Sequence, residues 1–361
     1  VFDVASQSLL RIIETGERPG HVSILDDNRT ALVCNWDESF VSIVDIVDGS
    51  HISNVTTGNR PYSASISPAG DTAIIQTIAN GSSDIVSFVN LDGASSSNLG
   101  NFTVGNLGAA AISYRYGFGV SVSYDGQIGA VCNNYSPGNV VHVFNMDSPT
   151  HLYDLAVGDT PINITFSPVN PQRAIVTNYN DDTVSVVDLA TSSGSVIQTV
   201  AVGSGPFQAV FSPLGNYVYV SNYNGDSISV IRMTDFTVTD VIALTDQPRE
   251  MVTNSSGTEL YVATMDYQFH RIAVSGGTGM VMESMIIPGP ICHMSLDEIN
   301  EVALIPNVSS DMLTFVSLVE PTPIPTATPG VMPLPATGPS GIVIILGALG
   351  LMLLRGRKSS F

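Results

Sequence analysis

The 361 residues could make two average domains or one large all-β domain, and at 44% hydrophobic and 12% charged they hold ample material for a core. All thirty-two acidic residues lie at or before Glu320 against nine arginines, so this part carries 9 − 32 = −23 charges, while the whole chain carries −20. Such a surface lacks the basic patches that nucleic acid and anionic membrane require, which leaves cations, cationic partners or plain solubility.

The chain opens with Val1-Phe-Asp-Val-Ala and Ser8–Ile13, two strand-like runs with nothing before them. A repeating β unit then begins. Its anchors fall at Pro19, Pro61, Gly117, Pro161, Pro206, Pro248 and Pro290, spaced 42, 56, 44, 45, 42 and 42 residues apart. The long interval is read as an insertion around Gly93–Arg115. The clearest copies run from Gly158-Asp-Thr-Pro161 through Phe166-Ser-Pro168, and from Gly203-Ser-Gly-Pro206 through Phe211-Ser-Pro213. Each goes on to a β-branched run ending in Asn178 or Asn222, then to an alternating run such as Val184-Ser-Val-Val-Asp188.

Period-two alternation bounded by Gly, Asn, Asp and Pro marks strands and turns, four strands to a unit. One four-stranded sheet of this size cannot bury both faces, so repetition at about 40–45 residues predicts blades packed face to face around a channel. Residues 1–319 are therefore expected to form an all-β, seven-bladed β-propeller, with no helix before residue 341. The last unit, Pro290 to Leu318, lacks a fourth strand, and Ser8–Ile13 is expected to supply it and close the ring. Residues 1–5 then duplicate a strand, which leaves an eighth blade open for a chain shortened at its N-terminus.

Beyond Glu320 the composition changes. Residues 320–333 form a Pro/Thr-rich linker whose prolines favour extended polyproline II. Residues 334–361 hold Leu334-Pro335-Ala336-Thr337-Gly338, an uncharged run over 341–354, and Arg355-Gly-Arg-Lys358. Fourteen helical residues reach about 21 Å, short of a bilayer core of about 30 Å, and basic residues behind an apolar run tend to stay inside the cell. This tail resembles the sortase signal of surface proteins, with its LPxTG pentapeptide, apolar segment and basic end. The resemblance implies cleavage at Thr337–Gly338, sortase and the cell wall as partners, and a propeller on the extracellular face. The alternative is a single-pass anchor through 341–354. Either requires export, so an export signal is expected to have preceded Val1.

Val176-Thr-Asn178, Val220-Ser-Asn222 and the runs after them resemble the YVTN-type β-propeller repeats of microbial surface proteins. Members of that family are mostly surface-layer or secreted proteins without assigned chemistry; related propellers include lactonases and subunits of quinoprotein dehydrogenases. The resemblance implies a non-enzymatic binding, adhesion or envelope scaffold for an extracellular ligand or protein. A lactonase-type hydrolase and a metal-binding or electron-transfer propeller remain as alternatives.

In a propeller the start of each innermost strand lines the channel. The residues two past each anchor are His21, Ser63, Gly119, Asn163, Gln208, Glu250 and Cys292, with Arg249 beside Glu250. This polar ring is read as a ligand site or as a solvated channel. A zinc site from His21, Glu250 and Cys292 lacks a spacing signature, and six scattered histidines do not make a copper cluster, so neither a metal nor a resident cofactor is expected. A hydrolase using Glu250, Arg249 and His21 is the catalytic alternative. Asn178-x-Asn180-x-Asp182 and Asn222-x-Asn224-x-Asp226 alternate oxygen ligands as calcium sites do, but their place between strands favours turn chemistry. Cys34, Cys132 and Cys292 are read as buried thiols.

Overall fold

The structure is a computed structural model and describes residues 2–3, 8–9, 13–25, 27, 29–77, 84–105, 119–133, 139–287, 294–297, 302–307 and 312–318. It is all β. The described residues form six four-stranded antiparallel sheets, one of three strands and one of two, with a single 3-10 turn at Gly93–Ser95 and no α-helix. This is the seven-bladed propeller that the repeat predicts. No helix among the described residues is long and apolar enough to cross a membrane. The linker 320–333 and the sorting signal, Leu334 to Phe361 with its run 341–354, lie outside them.

Blade one comprises Pro19–Ile24, Thr30–Asn35, Phe40–Asp45 and Ser50–Thr56. Blade two comprises Pro61–Ile66, Thr72–Thr77, Asp84–Asn90 and Ser97–Gly105. Blade three has Val120–Val122, Ile128–Asn133, Val140–Asn145 and Thr150–Ala156; blade four has Pro161–Phe166, Arg173–Asn178, Thr183–Leu189 and Gly194–Ala201. Blade five runs from Pro206 to Ala243, blade six from Pro248 to Ile286, and blade seven holds Ser295–Asp297, Val302–Asn307 and Met312–Ser317. First strands of consecutive blades neighbour one another from blade one to blade six, which sets them at the centre of the wheel. Ser97–Gly105 corrects the sequence reading: it is the fourth strand of blade two, not part of an insertion. Its Asn and Gly residues and two bulges hide the alternation. Near the N-terminus Ser8–Leu9 pairs with Phe2–Asp3. Residues 10–12 of the expected closing strand lie outside the described set.

Alternation along each strand sends side chains to both neighbours. Ala174 and Val176 join a cluster with Ile128, Cys132 and Val143 of blade three. Ile175 between them joins Phe211, Val218 and Val220 of blade five. Every large apolar cluster in blades one to seven spans one junction in this way. At about 25 cal/mol per Å² of buried apolar surface, these junctions supply the main stabilisation. Cys34 and Cys132 are buried among them, and burial raises both thiols, as expected of inert core cysteines.

The repeated polar residues build a second frame within each blade. Asn35 ends the second strand of blade one, and its Nδ2 donates to Ser42 Oγ at 3.0 Å on the third; Ser42 donates to Asn54 Oδ1 at 2.8 Å on the fourth. Asn178–Ser185 and Asn222–Ser229 repeat the first bond at 3.0 Å. The glycine of Gly-x-x-Pro makes room for this asparagine in blades one, four and five, and for Thr77 in blade two. A Cβ on Gly16, Gly158 or Gly203 would fall within 2.5–2.7 Å of the Asn35, Asn178 or Asn222 side chain. The Gly16 N–H also donates to Asn35 Oδ1 at 3.1 Å.

Candidate functional site

A β-bulge follows the anchor proline in blades one, two, four, five and six. It changes which way the next residue points. Asn163 Oδ1 accepts the Ala209 N–H of blade five at 3.0 Å, and Gln208 Oε1 accepts the Met251 N–H of blade six at 2.6 Å. In blade two, Ser65 Oγ accepts the Val122 N–H of blade three at 3.1 Å. Polar side chains of the first strands thus tie blade two to three, four to five and five to six.

Burial follows the same division. Ser63, Asn163, Arg249 and Glu250 are 2%, 5%, 3% and 1% exposed, while His21 and Gln208 are partly exposed. Gly119 leaves room for Gln76: a Cβ there would stand 3.4 Å from Gln76 Oε1. Cys292, with Pro290, Ile291 and His293, lies outside the described residues, so the expected grouping of His21, Glu250 and Cys292 is not described. Burial pushes the Glu250 carboxyl well above its usual value, against the opposing pull of the Arg249 guanidinium beside it. Arg249 also places Nη1 3.7 Å from Met265 Sδ. A carboxyl that burial keeps protonated above the usual range is a hydrogen-bond donor or a latent acid, and it becomes a base only where something charges it.

The Asn-x-Asn-x-Asp turns form latches. Asp182 and Asp226 take left-handed backbone angles, φ 54° and 44°. Asp182 Oδ1 accepts the Gly205 N–H at 2.8 Å, Asp181 Oδ2 accepts the Asp159 N–H at 2.6 Å, and Asn180 turns its nitrogen to Thr160 Oγ1 at 2.7 Å. In blade four these groups close the turn and join it to the segments before blades four and five.

Sequence reasoning missed one constellation. His142 on the third strand of blade three and His151 and Asp154 on the fourth meet, their ligand atoms all within 4.8 Å of one another. Strict alternation puts residues three apart on opposite faces. The bulge in the fourth strand, opposite Val143 and Phe144, brings His151 and Asp154 to one face. The same bulge in blade one sets His51 Nε2 2.7 Å from Asn54 Oδ1. Recurrence of His-x-x-Asn/Asp at one place in two units was the available signal.

A family model described as "Lactonase, 7-bladed beta-propeller" matches residues 139–294, from the third strand of blade three to the start of blade seven. That is less than half of the chain. No curated protein matches it. A functionally unknown protein from Desulfotomaculum acetoxidans superposes with a TM-score of 0.67 at 14% identity, over 80% of this chain and 92% of that one. Hydrazine synthase of Kuenenia stuttgartiensis gives 0.63 at 15%, over 85% and 97%. A Lactobacillus plantarum protein gives 0.60 at 17%, over 76% and 86%. At these identities the likeness is one of fold alone, and it places the chain in the β-propeller class.

Proposed function

We propose that this chain is an exported β-propeller of the YVTN-repeat kind, held on the cell surface, that serves as a binding or envelope scaffold without turning over a substrate. The observation carrying this reading is the state of its inner strands. Asn163 and Gln208 are committed to backbone N–H groups of the next blade, and Ser63, Arg249 and Glu250 are closed to solvent. A substrate needs groups it can reach. Binding then falls to the faces and rim of the wheel, for an extracellular protein or ligand. In this reading sortase cuts between Thr337 and Gly338 and joins the protein to the wall. Mass spectrometry of the mature C-terminus is expected to end at Thr337; a terminus at Phe361 replaces the wall link with a membrane anchor through 341–354.

A lactone hydrolase is the second reading, favoured by the family model over 139–294 and by the Arg249–Glu250 pair inside that stretch. There Arg249 would polarise the lactone carbonyl, and Glu250 would act as base once a ligand uncovered and charged it. A panel of aldonolactones and acyl-homoserine lactones given to the full-length protein separates the two. No turnover above buffer is expected. Hydrolysis that Glu250→Gln abolishes would establish the enzyme and remove the scaffold reading.

A further inference from the structure

We propose that His142, His151 and Asp154 form a binding site for a zinc-class divalent cation in blade three, a site independent of the channel. His142 and Asp154 are directly paired across the third and fourth strands. Asp154 Oδ1 accepts from His142 Nδ1 and from His151 Nε2, both at 2.7 Å, and Asn133 Nδ2 donates to His142 Nε2 at 3.2 Å. One carboxylate oxygen therefore already gathers two imidazoles, the donor set that borderline divalent metals prefer.

Comparison with the other blades separates this cluster from ordinary structural bonding. The third-strand position of His142 is Ser42, Ser87, Ser185 and Ser229 in blades one, two, four and five, and the fourth-strand partner is Asn54 in blade one. Blade one completes its network with Ser42, Asn54 and His51, so the fold itself asks only for a hydroxyl and an amide. Blade six carries a histidine, His270, but opposite Ser284 and with no carboxylate on that partner. Among the described blades, blade three alone puts two imidazoles and a carboxylate at this node.

The surroundings suit a cation. His142 is buried and rigid, whereas the side chains of His151 and Asp154 are 37% and 48% exposed and give a route in from solvent. Phe144 meets the His151 ring edge-on at 5.3 Å and holds it on the same side as His142. Zinc bonds of about 2.0–2.1 Å set tetrahedral ligands about 3.3 Å apart, so the two 2.7 Å contacts open by about half an ångström on loading. Each imidazole moves its proton to the other ring nitrogen, and none is released. The Asn133 amide then turns its oxygen to the His142 Nε2–H and acts as an outer support for the ligand. Water or a partner's side chain takes the fourth position.

Calorimetric titration of the full-length, chelator-treated protein with zinc chloride tests this. One site is expected, accompanied by a rise in Tm with zinc concentration. Asp154→Asn preserves shape and hydrogen bonding, as Asn54 does in blade one, and should weaken that site by at least about tenfold. His151→Ala should do the same should the first variant misfold, and His51→Ala should leave it unchanged. Cobalt(II) should give the visible bands of a tetrahedral site in the wild type and lose them in Asp154→Asn. Absence of zinc binding in the wild type, or equal binding by the wild type and both blade-three variants, overturns the proposal.

Discussion

The first strands and the outer strands of the blades differ in where their polar residues reach. At the centre, Asn163 and Gln208 reach out of their own sheet to backbone N–H groups of the next blade. Further out, Asn35–Ser42–Asn54 and Asn222–Ser229 stay inside one sheet. Central polar groups couple blades, while outer ones stiffen a blade and also reach its neighbour: Tyr153 donates its hydroxyl to Ala190 O at 2.7 Å, and Asp240 Oδ2 accepts the Gly279 N–H at 2.8 Å. Apolar clusters at the junctions lie beneath both arrangements and set the scale against which each is measured.

The largest effect is expected from that apolar layer. Phe144 is fully buried, with Phe88 and Phe102 of blade two at 5.4 and 5.6 Å. Phe144→Ala should cost about 3–5 kcal/mol in urea unfolding. Next comes the outer node. Gly203→Ala places a methyl 2.5 Å from the Asn222 side chain and should cost about 1–3 kcal/mol, with partial recovery in Gly203→Ala/Asn222→Ser. Full additivity of the two changes would show that the glycine does not accommodate the asparagine.

The central clasp is the third test. Gln208→Ala strips the Met251 N–H of its acceptor, at a cost of about 1–2 kcal/mol. Because this bond joins two blades, the unfolding transition should also broaden. A sharp transition would place the coupling in the apolar layer alone. The smallest effect is one of pH. Burial holds the proton on the folded Glu250 carboxyl well above the usual glutamate range, so above about pH 4.5 the unfolded chain binds fewer protons than the folded one. Wild-type stability should therefore fall as pH rises through that window. Glu250→Gln should lack this slope, so its Tm gains on the wild type between pH 5 and 8. A parallel pair of curves would mean that Glu250 is charged in the folded protein.

Much of the wheel is legible in the sequence because each unit repeats a backbone requirement. In the clearest units the anchor proline starts a strand, the glycine three residues before it clears space for the side chain that ends the second strand, and Ser-Pro-x-Gly or a close variant closes the turn. What the sequence hides traces to bulges. The strand Ser97–Gly105 carries two of them and too many small residues to alternate. The bulge after each anchor proline turns Asn163 and Gln208 toward a neighbouring blade, which period two alone does not foretell. The fourth-strand bulge does the same for His151 and Asp154. Phase carries across a regular strand and is lost at each extra residue.

Since each large apolar cluster straddles a junction, a blade has two unlike sides, one shaped for the unit before it and one for the unit after. A gene that duplicates one whole unit therefore brings matching sides to every new seam, and the wheel can change circumference. Duplication of half a unit inserts a sheet too narrow to cover either neighbour and strands a greasy surface in water. Units of this kind are expected to spread through a genome only in whole numbers.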